Sequence, residues 1–252
     1  MTLGLVRALE AECRSEPVRS IHLIGPPYAA LGGRQRHLTD GHTRLLAYLA
    51  FNRGEHDRRY VASTLWPDVC AARAAGNLRV ELWRLRRDDI GLVSSDEHRL
   101  ALADGVTVDI QLLEDWAARL ISGKLRATDL AWVPRNICTA EILPGVFDDW
   151  IELERGRLQQ QMLHAMECMS RELRLAGRHA EALDAALVVC HADPLRESAQ
   201  ATLFEAYLGE GNRQVAKRRF EEYRRLVMDE LGVEPSPELA VRMAPYLRMD
   251  HP

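Results

Sequence analysis

Apolar residues between positions 71 and 87 keep helical time. Leu78, Leu82 and Leu85 recur at spacings of three and four and define one dry face. At about 100° per residue, Arg73, Gly76, Val80, Trp83, Arg84 and Arg87 fall broadly opposite, with Asn77 at the edge. Arg79 and Arg86 flank the apolar stripe, where acids could pair with them. Ahead of this helix, residues 20–25, 28–31 and 34–38 read as short strands. Pro26-Pro27 and Gly32-Gly33 supply the turns between them. A helix over 41–52 turns Leu45, Leu46, Leu49 and Ala50 inward, with Gly54 just past its end. A second helix starts after Asp57 as N-cap, buries Val61, Leu65 and Trp66, and stops at Pro67. Asp68 is the expected cap of the arginine-bearing helix. Residues 91–94 and 98–102 then form a hairpin over 95–97. Sheet, three helices and hairpin in that order predict a winged helix-turn-helix.

Downstream, residues 109–121 predict a helix with Ile110, Leu113, Trp116, Ala117 and Leu120 on its apolar side. Residues 122–146 hold two prolines, two glycines and no clean period. They read as a connection ordered by Leu130, Trp132, Ile137 and Leu143. Beyond it the chain repeats. Gly177 and Gly211 lie 34 residues apart, as do Ala182 and Ala216. A 34-residue period is that of the tetratricopeptide helix pair. Small Ala182 fits where the paired helices approach, and Pro194 falls at the end of its unit. Tyr207, Ala216 and Phe220 fill the matching places of the next. Helices over 147–175 and from Pro237 to about 247, the latter capped by Ser236, complete the stack. The predicted chain is mainly α. It has an arm or short helix over 1–19 and a winged helix-turn-helix with a small β-sheet and wing over 20–108. A connecting helix and linker over 109–146 lead to an all-α tetratricopeptide-like domain over 147–252.

Charge divides along the same lines. Residues 34–99 carry twelve Lys and Arg against nine Asp and Glu, whereas residues 100–252 carry eighteen against twenty-five. The basic excess therefore sits around the arginine helix, which alone holds five arginines and one glutamate. A rigid rod of that charge with one dry face suits a phosphate backbone. Arg73, Asn77, Val80, Arg84 and Arg87 are the expected major-groove residues. Arginine offers a fork to guanine and asparagine one to adenine. Arg34 and Arg36 in the sheet, Arg58 and Arg59 at a helix start, and His98 and Arg99 near the wing tip are expected at DNA backbone or wing contacts. Asp96 and Glu97 work against that contact. Trp83 could pack on a sugar, on the wing or on a second subunit.

The remaining chemistry is sparse. Five scattered cysteines (13, 70, 138, 168, 190) form no CxxC pair, so neither a disulfide framework nor a zinc cage is expected. Cys190-His191 are neighbours on different helix faces. Asp88-Asp89 and Asp148-Asp149 read as helix-terminal charges. There is no phosphate-binding GxxxxGK[ST] loop and no GxSxG elbow. No enzyme, metal or cofactor is expected. Without a basic patch leading into an apolar run at the start, or eighteen uninterrupted apolar residues anywhere, a cytoplasmic, nucleoid-associated protein is expected.

The run over 45–87, with Leu65-Trp66, Asn77-Leu78 and Trp83-Arg84-Leu85-Arg86, resembles the response-regulator-type winged helix of the Streptomyces antibiotic regulatory protein (SARP) family. Leu143-Pro144-Gly145, Asp148-Asp149-Trp150, Glu154-Arg155 and Leu158 resemble the opening of that family's bacterial transcriptional activator domain. Residues 176–183 and 193–197 continue it, and residues 231–238 resemble its close. The likeness covers roughly residues 20–248 and matches the small form of the family, without a nucleotide-binding ATPase. It implies a transcription activator that binds direct repeats in double-stranded promoter DNA and recruits RNA polymerase; pairing with a second copy of the chain on the DNA is a separate expectation. Val80-Glu81-Leu82-Trp83 is not the usual filling of the recognition helix, so no operator sequence carries over. The competing expectation is a protein-interaction adaptor, with the winged helix as scaffold and the repeats as a partner groove.

Overall fold

A computed structural model of the chain describes residues 2–12, 19–87 and 91–247. Cys13, Asp88 and Asp89 lie outside the described residues. The chain divides into two compact units. One is Leu3–Asp115 with Ala140–Gly156; the other gathers Trp116–Thr139 and the chain from Arg157 onward. No helix among the described residues is long and apolar enough to cross a membrane.

The first unit opens with α1 (Thr2–Glu12), which buries Leu5, Val6 and Leu9. Of the two alternatives for the N-terminal stretch, the helix is observed. Strands β1 (Arg19–His22), β2 (Tyr28–Leu31) and β3 (Arg34–His37) follow as an antiparallel meander. Helix α2 (Asp40–Phe51) is capped by Thr39, and Asn52 closes it. The two-residue strand β4 (His56–Asp57) leads into α3 (Arg58–Leu65), where the Asp57 carboxylate accepts from the amides of Arg59 and Tyr60 as expected. Trp66 is the half-buried C-cap of α3 rather than a core residue within it. Helix α4 (Ala71–Arg87) starts later than an Asp68 cap requires. The Cys70 carbonyl accepts from the Arg73 and Ala74 amides, so Cys70 precedes its first residue. The hairpin is β5 (Val93–Ser95) and β6 (Arg99–Leu102), with Ser95 opposite Leu100; Gly91 and His98 lie outside the strands.

Two features had no signal in the periodicity. Strand β7 (Val106–Val108) joins β1 in parallel, giving the order β3-β2-β1-β7, and β4 joins β6 in a second sheet ordered β4-β6-β5. Helix α5 (Asp109–Ser122) then begins on a buried aspartate. The Asp109 carboxylate accepts from the amides of Leu23, Ile24 and Ile110, while burial pushes its pKa up to about 6. Helix α3 packs on α4, and α2 packs on both and on β6. Leu45, Leu46, Leu49, Val61, Leu65, Leu78, Leu82 and Leu85 are all essentially inaccessible.

Residues 140–156 pack with this same unit. Ile24 bridges Ile142, and Leu143 donates to the Leu23 carbonyl at 2.8 Å. Leu143 is buried with φ +52°, in the left-handed region. Arg155 holds the bend by donating to the carbonyls of Ile142, Leu143 and Val146. Asp148 is more than a helix-terminal charge: it grips Arg44 of α2 with both oxygens. Trp150 packs edge-on against Tyr48, with centroids 5.7 Å apart.

The second unit is helical. Helices α6 (Asp149–Leu175, shared by both units), α7 (His179–Ala192), α8 (Glu197–Gly209), α9 (Arg213–Leu231) and α10 (Pro237–Leu247) follow one another. The predicted repeat is visible in its turns. Gly177 and Gly211 both have left-handed φ, +74° and +78°. In each turn the next residue donates back five positions, Arg178 to Leu173 and Asn212 to Tyr207. The two turns therefore share the helix-ending geometry that only glycine adopts without strain. Ala182 and Ala216 are fully buried, and Ser170 Oγ donates to the Ala182 carbonyl at 2.8 Å, a contact a larger side chain would obstruct. Leu203, Phe204, Tyr207, Phe220, Val227 and Met243 form the core of the α8–α10 stack. Ser236 Oγ accepts from the Leu239 amide, capping α10 as expected.

Candidate nucleic-acid interface

The candidate surface is the outer face of α4 with the start of α3 and the wing. Its polarity follows from α4's own sequence. Leu78, Leu82 and Leu85 turn inward, so the residues between them must face out. Arg73, Arg79, Val80, Trp83, Arg84, Arg86 and Arg87 are exposed. Asn77 is half-buried, at the edge as expected. Two apolar side chains stand out among the cations: Val80 at 45% and Trp83 at 57% exposure. The Arg87 guanidinium lies over the Trp83 ring, 5.0 Å from its centroid.

The arginines divide by what holds them. Arg73 and Arg79 are exposed and form no ion pair with a described residue. Of the acids that could have paired with Arg79, none among the described residues does. Arg84 is committed: its Nη1 donates to Glu81 Oε1 at 2.7 Å. Arg86 forms no ion pair with a described residue either. It donates to Ser95 Oγ at 2.7 Å and so ties α4 to the wing.

The wing is tied to α3 as well. The Arg58 side chain donates to the Asp96 carbonyl at 2.6 Å, and its amide donates to the His98 carbonyl at 2.9 Å. Arg58 is thus half-buried and structural. Arg99 pairs with Glu55 at 2.8 Å. Asp96, expected to oppose a phosphate, instead accepts from the amides of His98 and Arg99 at 2.7 Å and fixes the wing tip. Those amides, Arg99 first, lower its pKa. The same logic holds at α3, where the amides of Tyr60 and Arg59 lower the pKa of Asp57. His98 and Arg59 remain exposed, and Tyr60, at 63% exposure, joins them.

Not every expected residue lies on this surface. Arg34 and Arg36 are exposed on β3, which pairs only with β2. No hydrogen bond or ion pair among the described residues links β3 to α3, α4 or the wing. The residues the sequence did not single out are Tyr60, which opens α3 as an exposed ring, and Glu81. A lone glutamate in an arginine-rich helix looks like a surface charge, yet Glu81 is buried.

Residues 139–244 match the model of the bacterial transcriptional activator domain. The chain is 30% identical over 195 residues to the regulatory protein AfsR of Streptomyces coelicolor, covering 74% of this chain and 20% of that protein. It is 28% identical over 193 residues to AfsR of Streptomyces griseus, covering 73% of this chain and 20% of that protein. It therefore spans about a fifth of the length of these relatives. Among solved structures, Mycobacterium tuberculosis EmbR in complex with a low-affinity phosphopeptide shares the fold. The TM-score is 0.65 at 19% identity, over 91% of this chain and 65% of that one.

Proposed function

The chain belongs to the Streptomyces antibiotic regulatory protein family of transcription regulators, and on that footing we propose that it binds promoter DNA and activates transcription. In this reading α4 enters the major groove, presenting Arg73, Asn77, Val80, Arg84 and Arg87, with Arg79 added. Arg59, Tyr60 and His98 contact the flanking backbone. Arg58, Arg86 and Asp96 brace the wing, and Arg99 is held by Glu55. Arg34 and Arg36 are left to a separate backbone contact. The helical repeats serve a second copy of the chain on a direct repeat, or RNA polymerase. The work is done at the nucleoid with no cofactor.

One observation supports this reading above the others: α4 turns Arg73 and Arg79 outward, neither in an ion pair with a described residue, on a helix whose other face is buried. Selection of bound sequences from random duplex DNA tests it. An enriched direct repeat is expected. No enrichment, together with passage through a DNA column at low salt, would replace it with a partner-binding adaptor.

A further inference from the structure

Glu81 occupies a position the helical pattern reserves for an apolar residue. It lies on the inner side of α4 with Leu78, Leu82 and Leu85, and only 7% of it is accessible. A buried carboxylate is costly unless cations or donors surround it, and an apolar side chain of its size would pack there at no such cost. Its two oxygens face different groups. Oε1 accepts from Arg84 Nη1 at 2.7 Å, and Oε2 faces His42 Nε2 of α2 at 3.7 Å.

Room for the carboxylate is made by one residue. Gly41 has an ordinary helical backbone, so conformation does not demand glycine there. A Cβ at that position would sit 2.5 Å from both Cδ and Oε2 of Glu81. Two residues forty positions apart are therefore matched: position 41 lacks a side chain where position 81 places a charge.

We propose that Glu81 is a positioning residue for sequence readout, one that fixes the Arg84 guanidinium in a single orientation for a guanine. The proposal rests on the DNA-binding reading above. Arg84 is half-exposed, with its stem rooted on the outer face. Held at Nη1 by one bond, it keeps its remaining N–H groups for a base edge. Arginine to O6 and N7 of guanine is the commonest specific contact of this kind, and it needs a defined fork direction. An unheld arginine would be drawn to phosphate as readily as to a base. Glu81 also cancels one positive charge, so it trades general affinity for discrimination.

The test compares the full-length chain with Glu81→Met, Arg84→Ala and the double variant, after thermal melting shows each folded. Binding is measured on the selected site, on the same site with each guanine replaced in turn, and on unrelated duplex. Methionine fills the volume, so the fold should hold. For one guanine, wild type should lose about tenfold or more on replacement. Glu81→Met should lose most of that preference while binding unrelated duplex as well as or better than wild type. The double variant should match Arg84→Ala, because the two residues act as a unit. If Glu81→Met weakens all three duplexes by one factor, or keeps the guanine preference, Glu81 is only a helix anchor and the proposal falls. If Glu81→Met does not fold, Gly41→Ala, which displaces the carboxylate, is read by the same ratios. If wild type binds no duplex, the DNA-binding reading falls and takes this one with it.

Discussion

Two helices of this protein are rich in arginine, and only one of them is a candidate for DNA. Helix α4 carries five arginines and one acid. Helix α9 carries six Lys and Arg and four acids. Both have a dry face, built from leucines in α4 and from Ala216, Phe220, Tyr223 and Val227 in α9. They differ in where the carboxylates lie. On α9, Glu222 holds Arg219 at 3.0 Å and faces Arg218 at 3.9 Å, and Glu234, just past the helix end, takes Arg224 with both oxygens. On α4 the one acid is buried and holds only Arg84, while Arg73 and Arg79 form no ion pair with a described residue. Arginine count does not make a polyanion surface. Uncompensated arginine does.

The contrast can be broken or sharpened. The largest effect should come from the faces the helices share in kind. Leu78→Ala on α4 and Phe220→Ala on α9 should each cost about 2–5 kcal/mol, read from denaturant melts. If one were tolerated, the two dry faces would not be equivalent. Next, Arg73→Ala with Arg79→Ala should weaken duplex binding roughly a hundredfold near 0.1 M salt and reduce the salt slope by about 2. Arg218→Ala with Arg224→Ala should leave both unchanged. Equal losses from the two pairs would dissolve the distinction. The smallest effect is the converse. Glu222→Gln with Glu234→Gln frees α9's arginines and should raise retention on a DNA column slightly, with a steeper salt dependence. No change would mean that release of the cations is not enough.

What the sequence made legible was local. The caps at Asp57 and Ser236, the turn glycines 177 and 211 and the inward faces of α4 and α5 each follow from neighbours within one or two turns. What it hid depends on distant partners. Strand β4 has two residues, too few for a period, and exists because Leu100 and Arg99 pair with it. Strand β7 is defined by β1, more than eighty positions earlier. At the candidate site, the outward set on α4 was legible from the position of its leucines. The duties of Arg58, Arg84, Arg86, Asp96 and Arg99 were not, because each partner is chosen by the folded chain. Glu81 is the sharpest case: the spacing of the leucines puts it on the inner side, but only Gly41 on another helix leaves room for its carboxylate there.

The bend at Leu143 has a practical corollary for anyone dissecting this chain. The segment matched to the activator domain starts at residue 139, yet its first stretch supplies Asp148 to Arg44 and Trp150 to Tyr48. An N-terminal fragment trimmed at that homology border would be amputated rather than isolated. One extended to residue 156 should survive heating better, and chimaeras spliced among relatives should be joined there.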